Sequence, residues 1–351
     1  MTFWKDRLRA DPLPWLLEPD TSQPAVRYFT LRDILRRNEH DSEVKEAKAA
    51  IMASGPVPVI LAAQQPEGYW DKAGDISGPK HRGTQWSLAF LAQLGADGAD
   101  PRIRACCEYL LSHCLAGNGA LSWRLTPSSF AHCGAGSMAA TLIDFGWLGD
   151  PRLQIAMEWL AQTITGEGVA DVSDRSTSKR YYKTTNSGPL FRCAGNANLP
   201  CAWGAINAMV ALSKVPPAQR TRNMQAAIKE GVGFLLSRDP AVADYPFDNY
   251  TWKGRQGGNK PSSKWFQFGY PAGHDVLQNL DVLAALGEAQ NPRLANALKL
   301  VLSKQDDKGR WKLERTYNGK SWVDIEKKGQ PSKWVTLRAL HVLKAAYPAS
   351  G

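Results

Sequence analysis

The feature that most constrains this chain is a recurring unit of two helices. TQWSLAFLAQLGADGADPR closes an apolar helix with Leu94-Gly95 and opens the next with Asp100-Pro101-Arg102. GSMAATLIDFGWLGDPR does the same with Gly146 and Asp150-Pro151-Arg152, and HDVLQNLDVLAALGEAQNPR with Gly287 and Asn291-Pro292-Arg293. Gly is a helix C-cap, Asp or Asn an N-cap, and Pro suits the first helical position. A charge-bearing helix follows each turn: IRACCEYLLSHC, LQIAMEWLAQTI and LANALKLVLSKQ. Looser copies run through RYFTLRDILRRN, CAWGAINAMVALSKVPPAQR and PSKWVTLRALHVLKAAYP.

First-type helices are expected near 24–38, 83–95, 135–147, 201–214, 274–287 and 332–346. The middle four are almost free of charge, and a helix apolar on every side is buried on every side. The second-type helices carry their charges on one face. This pattern predicts an all-α double ring, an (α/α)6 toroid, with an open solenoid as the alternative. Thr30-Leu31-Arg32 in the first helix returns as Thr336-Leu337-Arg338 in the last, which favours closure. The ring would be one domain over 1–351, with an N-terminal extension at 1–23 and rim insertions at 166–200 and 239–270.

A second repeat lies between the helices. QPEGYW (Gln65 to Trp70) and QDDKGRW (Gln305 to Trp311) each follow an apolar helix. Gln can bond exposed helix-end carbonyls, Gly permits the turn and Trp can bridge to the next helix, so bracing is the first reading. Here the chain resembles the terpenoid-cyclase and protein-prenyltransferase superfamily, whose α/α toroids carry Gln-Gly-Trp repeats. The resemblance covers about residues 24–346. Its nearest echo is in uncharacterised bacterial prenyltransferase/squalene-cyclase (squalene-hopene cyclase-like) repeat proteins, through QPEGYW, the VLSKQDDKGRWKLE run and GQPSKWVTLRALHVLK. It implies a central cavity for a prenyl or terpenoid-like substrate, worked on by a cyclase or a prenyltransferase. The Asp-x-Asp-Asp and DDxxD acids of those enzymes are absent, so the reaction stays open.

The residues themselves add candidates. Counted back from the helix-closing residues, Arg82, Cys133, Cys201 and His274 fall at similar heights before their helices. Two thiolates and an imidazole can hold Zn²⁺ with an open position, and Cys193 can be a further ligand. Small residues at crowded helix starts explain the same pattern without metal. Lanthionine cyclases, another α/α toroid family, offer an analogy for a thiol-activating zinc site. Aromatic candidates for an apolar pocket are Trp86, Phe130, Trp203, Phe266 and Trp334, with Arg82 and Gln278 beside them. His274, Gln278 and Asp281 form a polar stripe on an apolar helix, so they should face the lumen. Asp144, Asp275 and Asp281 are candidate acids, since burial raises a carboxyl pKa.

The net charge of +10 suits a small anionic ligand such as a prenyl diphosphate, met by Lys179, Arg180, Lys183, Arg255 and Lys264. No nucleic-acid recognition motif accompanies it. The chain shows no transmembrane segment and no signal-peptide core, so a cytoplasmic setting is expected, with peripheral membrane contact still open. The alternative function is a non-catalytic toroid that binds a lipid or a peptide.

Overall fold

The computed structural model describes residues 3–167, 187–196, 198–243, 245, 263–271 and 274–349. Within them the chain is mostly helical. Its helices are α1 (Leu13–Leu17), α2 (Pro24–Phe29), α3 (Ser42–Ala53), α4 (Pro56–Ala62), α5 (Thr84–Gln93), α6 (Pro101–Cys114) and α7 (His132–Asp144). They continue with α8 (Pro151–Thr165), α9 (Ala202–Ser213), α10 (Arg222–Leu235), α11 (Val276–Ala285), α12 (Ala295–Ser303) and α13 (Lys333–Ala346). A π-helical turn, Thr30–Ile34, extends α2. Strands β1 (Ser187–Gly188), β2 (Arg192–Cys193) and β3 (Leu199–Pro200) make a small antiparallel sheet in the order β1-β2-β3. No helix among the described residues is long and apolar enough to cross a membrane.

The caps follow the sequence logic. The carboxylates of Asp100 and Asp150 accept the N–H groups of Arg102 and Arg152 at 2.9 and 2.8 Å, with Pro in the first turn. Asn291 accepts from Arg293 at 3.1 Å and opens a 3-10 turn, Pro292–Leu294, ahead of α12. Two boundaries differ: the first helix ends with its π turn at Ile34, not near 38, and α7 begins at His132, not near 135, with Gly134 and Gly136 carried inside the helix by close packing. A Cβ on Gly136 would lie 2.4 Å from the backbone of Asn207, so only glycine lets α7 and α9 approach this closely.

The first five first-type helices each pack on their own second helix: α2 on α3, α5 on α6, α7 on α8, α9 on α10 and α11 on α12. First-type helices also pack on one another in sequence, α5 on α7, α7 on α9, α9 on α11 and α11 on α13, and α13 returns to α2. Between α2 and α5, the Phe29 ring stands 3.0 Å from where a Cβ on Gly95 would be. The Lys344 ammonium donates to the carbonyls of Asp33 and Ile34 at 2.9 and 2.6 Å, tying the last helix to the first. Trp334 Nε1 donates to Gln23 Oε1 at 2.6 Å across the same junction. The segment before α1 crosses it as well, with Arg9 N–H donating to Gln305 Oε1 at 3.1 Å and Trp4 N–H to the Tyr347 carbonyl at 3.0 Å.

The two Gln-Gly-Trp copies do the same work. Trp70 and Trp311 are fully buried. Trp70 Nε1 donates to the carbonyl of Ile60 at 2.8 Å, and Trp311 Nε1 to that of Val301 at 2.7 Å, each ten residues back on the preceding helix. Their own N–H groups donate to Thr84 and Thr336 hydroxyls at the start of the next first-type helix, at 3.1 and 3.0 Å. Gly68 and Gly309 have positive φ and lie against backbone: a Cβ there would sit 2.8 Å from Ala105 and 2.0 Å from Ala10. The motif is a brace that pins each second helix to the next first one.

Candidate functional site

Every first-type helix turns one face toward a shared cavity of about 1190 Å³. Phe29 and Arg32 come from α2 and its π turn, Trp86 from α5, Cys133 and Asp144 from α7, Trp203 and Asn207 from α9. Gln278 and Asp281 come from α11, and Trp334 and Arg338 from α13. The volume exceeds the 300–1,000 Å³ usual for small-molecule sites, so it has room for a long chain.

The walls near the helix N-termini are aromatic. Trp203 stacks on His274 with centroids 5.1 Å apart, and Tyr270 stacks on Trp334 at 4.3 Å and 9°. Phe29 packs against Trp334 at 6.0 Å. His81 meets Trp86 edge-on at 4.5 Å and stacks on Tyr317 at 4.1 Å. Lys80 lies over Trp86 at 5.8 Å. Burial, with help from nearby cations, pushes the imidazoles of His81 and His274 down to about 4 and about 3, so both are neutral at pH 7. This half of the cavity presents ring faces, the neutral His274 imidazole and the ammonium of Lys80.

The walls near the helix C-termini are ionic. Asp144, the last residue of α7, receives the Lys214 ammonium at 2.6 Å. Arg32 pairs with Asp33 at 2.5 Å, and His341 Nε2 lies 3.7 Å from Asp33. Arg338 stands 3.9 Å from Asp281 and over the Tyr270 ring at 5.4 Å. Burial raises the Asp144 pKa, and the Lys214 charge opposes that rise without cancelling it. A helix C-terminus repels negative charge, which acts in the same direction as burial.

Eight of the residues singled out in the sequence line the cavity: Trp86, Cys133, Asp144, Trp203, His274, Gln278, Asp281 and Trp334. The polar stripe on α11 therefore faces inward. Other candidates lie elsewhere. Asp275 is fully buried as the N-cap of α11, accepting N–H groups of Gln278 and Gly269 at 2.9 Å each. Arg82 covers the Trp322 ring at 5.4 Å, Phe130 packs edge-on to His132 at 5.3 Å, and the Phe266 carbonyl accepts from Lys304 at 2.6 Å. Lys264 is exposed, and Lys179, Arg180, Lys183 and Arg255 fall outside the described residues, as does much of the two rim insertions. Tyr270, Phe29, Arg32, Lys214 and Arg338 also line the cavity, with no local sequence signal that marks them for it. The cations among them sit on or beside charged segments, where a charge reads as outward-facing.

Cys133, Cys193 and Cys201 do come together. The Cys201 thiol hydrogen-bonds Cys193, and this bond, with N–H groups of Gly195 and Asn196 and the Ser187 hydroxyl, draws the Cys193 pKa down to about 6. The proton stays on Cys201, whose pKa rises well above the ordinary value through the same bond and burial. Burial, reinforced by Cys193, raises Cys133 to about 12. His274 instead faces the lumen on Trp203, its backbone N–H donating to Gln278 Oε1 at 2.5 Å. No group of three or more His, Cys, Asp or Glu among the described residues is arranged to hold a metal ion.

No family model and no curated protein sequence matches the chain. Among solved structures it is similar to the type II terpene cyclase MstE from Scytonema. An arginine-to-alanine variant of that enzyme, in complex with geranylgeranyl dihydroxybenzoate as substrate, is 16% identical, with a TM-score of 0.41, 94% of this chain and 88% of that chain covered. An aspartate-to-asparagine variant with the same ligand is 15% identical, with a TM-score of 0.40 over 88% and 83% of the chains. The apo enzyme gives 15% identity and a TM-score of 0.30 over 87% and 98%. Likeness at this level says nothing about activity, which has to be argued from the cavity.

Proposed function

We propose that the chain is a closed (α/α)6 toroid and a terpenoid-cyclase- or prenyltransferase-like enzyme that holds a prenyl or terpenoid-like substrate in its lumen. The observation that carries this reading is the cavity shared by all the first-type helices, aromatic toward their N-termini and ionic toward their C-termini. A flexible apolar chain gains from leaving water for a wall of ring faces. The rings of Trp203 and Trp334 also stabilise positive charge that develops along such a chain. Asp144 is the proton donor in this reading, because desolvation at the lumen wall raises its proton affinity, while Lys214 keeps this part-exposed carboxyl oriented. Asp281, held near Arg338, is the acceptor at the other side of the chain's tail. A prenyl diphosphate would set its anionic head toward the N-terminal rim, where the positive ends of the helix dipoles and Lys80 meet it.

The test is incubation of purified protein with prenyl diphosphates of increasing length and with the corresponding alcohols. Products are extracted and separated by gas chromatography with mass detection. The reading predicts a cyclised or transferred product from at least one chain length, lost in Asp144→Asn. Binding without any product in wild type would instead support a lipid-binding toroid. No binding at all would remove both. Metal analysis of the same preparation tests the zinc expectation separately.

A further inference from the structure

We propose that Cys193 and Cys201 form a peroxide-reactive dithiol beside the lumen, with Cys193 the attacking sulfur and Cys201 the resolving one. This is independent of what the lumen binds. The hairpin sets the pair. Cys193 pairs with Leu199 in the β2-β3 ladder, and the Cys201 N–H donates to the Phe191 carbonyl at 2.9 Å, continuing the pairing one step further. Residues 193 and 201 are therefore diagonal neighbours on one face, and their sulfurs are hydrogen-bonded to each other.

The surroundings favour a thiolate at one of the two. Besides the Cys201 thiol, Cys193 receives N–H groups of Gly195 and Asn196 and the Ser187 hydroxyl. Ser187 is itself held by the His132 N–H at 3.1 Å. A thiolate with four donors is a stable nucleophile, and a thiol in contact with it is placed to resolve an oxidised product. Both cysteines are partly exposed. Leu190 and Leu199 beside them are 50% and 39% exposed and make an apolar lip. Cys106, Cys107 and Cys114 on α6 are the internal contrast, since burial dominates and raises all three.

The chemistry balances with a hydroperoxide as oxidant. The Cys193 thiolate attacks the terminal oxygen and breaks the O–O bond. The alcohol, or water, leaves with a proton from solvent, and Cys193 becomes a sulfenic acid. Cys201 then attacks that sulfur, its proton going to the departing hydroxide as water, and the disulfide forms. Two thiols supply the two electrons.

Reduced full-length protein is treated with hydrogen peroxide, quenched with N-ethylmaleimide and digested with trypsin. Cleavage after Arg192 and Lys214 puts both cysteines in one peptide, 193–214, so the disulfide is read as an unalkylated peptide two hydrogens lighter. The proposal predicts that this peptide oxidises roughly tenfold or more faster than those bearing Cys106, Cys107 and Cys114. In Cys201→Ser a dimedone-reactive sulfenic acid accumulates at Cys193. Ser187→Ala slows oxidation several-fold with the circular dichroism spectrum unchanged. Equal rates at all cysteines, a Cys133–Cys193 disulfide in place of the 193–201 one, or stoichiometric zinc released on thiol oxidation would each overturn it.

Discussion

The two ends of the lumen are built from the same first-type helices and differ in kind. Toward the helix N-termini, Trp86, Trp203, Tyr270 and Trp334 present rings, and the His274 imidazole among them is neutral. Toward the C-termini, Asp144–Lys214 and Arg32–Asp33 present paired charges. Helix polarity explains part of this. N-termini carry positive potential, and Lys80 adds one cation to that rim. C-termini leave carbonyls, which draw in cations. Lys344 satisfies two of them directly, and Lys214 admits the carboxylate of Asp144. A pocket with one apolar and one ionic end can hold a chain in a single direction, and direction is what a site needs to act on one bond.

The largest effect that would break this contrast is on Asp144. Asp144→Asn removes the proton donor and should lower turnover by roughly 10²–10⁴-fold while leaving binding near wild type. Because burial raises this carboxyl, wild-type turnover should fall as pH rises through its pKa, and the variant should lose that limb. Turnover that survives in Asp144→Asn would move the chemistry to the other end.

Glu326 sharpens the comparison from the N-terminal side. It accepts the Ser332 hydroxyl and the Lys333 N–H, the latter at 2.7 Å, at the start of α13, yet burial pushes it from 4.5 up to about 7. The folded chain thus keeps a proton that the unfolded chain releases. That contribution is fully present below about pH 4.5 and is lost as pH rises through about 7. Denaturant unfolding of wild type and Glu326→Gln should differ across this window by on the order of 3 kcal/mol. Parallel curves would show that the carboxyl is ionised throughout.

Trp203→Ala tests the aromatic end. Losing one ring face from the wall should weaken a prenyl ligand by about 2 kcal/mol, roughly thirtyfold, with a smaller effect on a short polar analogue. Lys80→Ala should do least, a few-fold loss for a diphosphate that fades with salt and no change for the alcohol. Equal losses for both ligands would argue that Lys80 acts through packing on Trp86.

Much of the fold is readable from residues alone, where a local rule sets the outcome. Asp100-Pro101, Gly146 and the Gly-Trp motifs follow from cap and turn chemistry. The inward stripe of His274, Gln278 and Asp281 follows from helical periodicity on an apolar helix. The misplaced candidates have one cause in common, long-range geometry. Asp275 is the buried acid it reads as, its pKa raised by burial, and the return of 268–270 to α11 also hands it a second N–H and makes it a cap. Arg82 reads as a rim cation, but Trp322, distant in sequence, takes its side chain. Tyr270 could not be placed in the lumen without knowing that α13 brings Trp334 beneath it. Helix heights alone group Cys133, Cys201 and His274, yet the imidazole ring stacks on Trp203 and the described residues form no three-ligand metal group.

The most direct measurement is photo-crosslinking with a benzophenone-tagged prenyl diphosphate, with the labelled peptides then mapped. The account predicts saturable labelling on peptides bearing Trp86, Trp203 or Phe29, competed by untagged prenyl diphosphate and reduced in Trp203→Ala. Labelling confined to the outer faces of α3, α6 or α10, or insensitive to competitor, would contradict it.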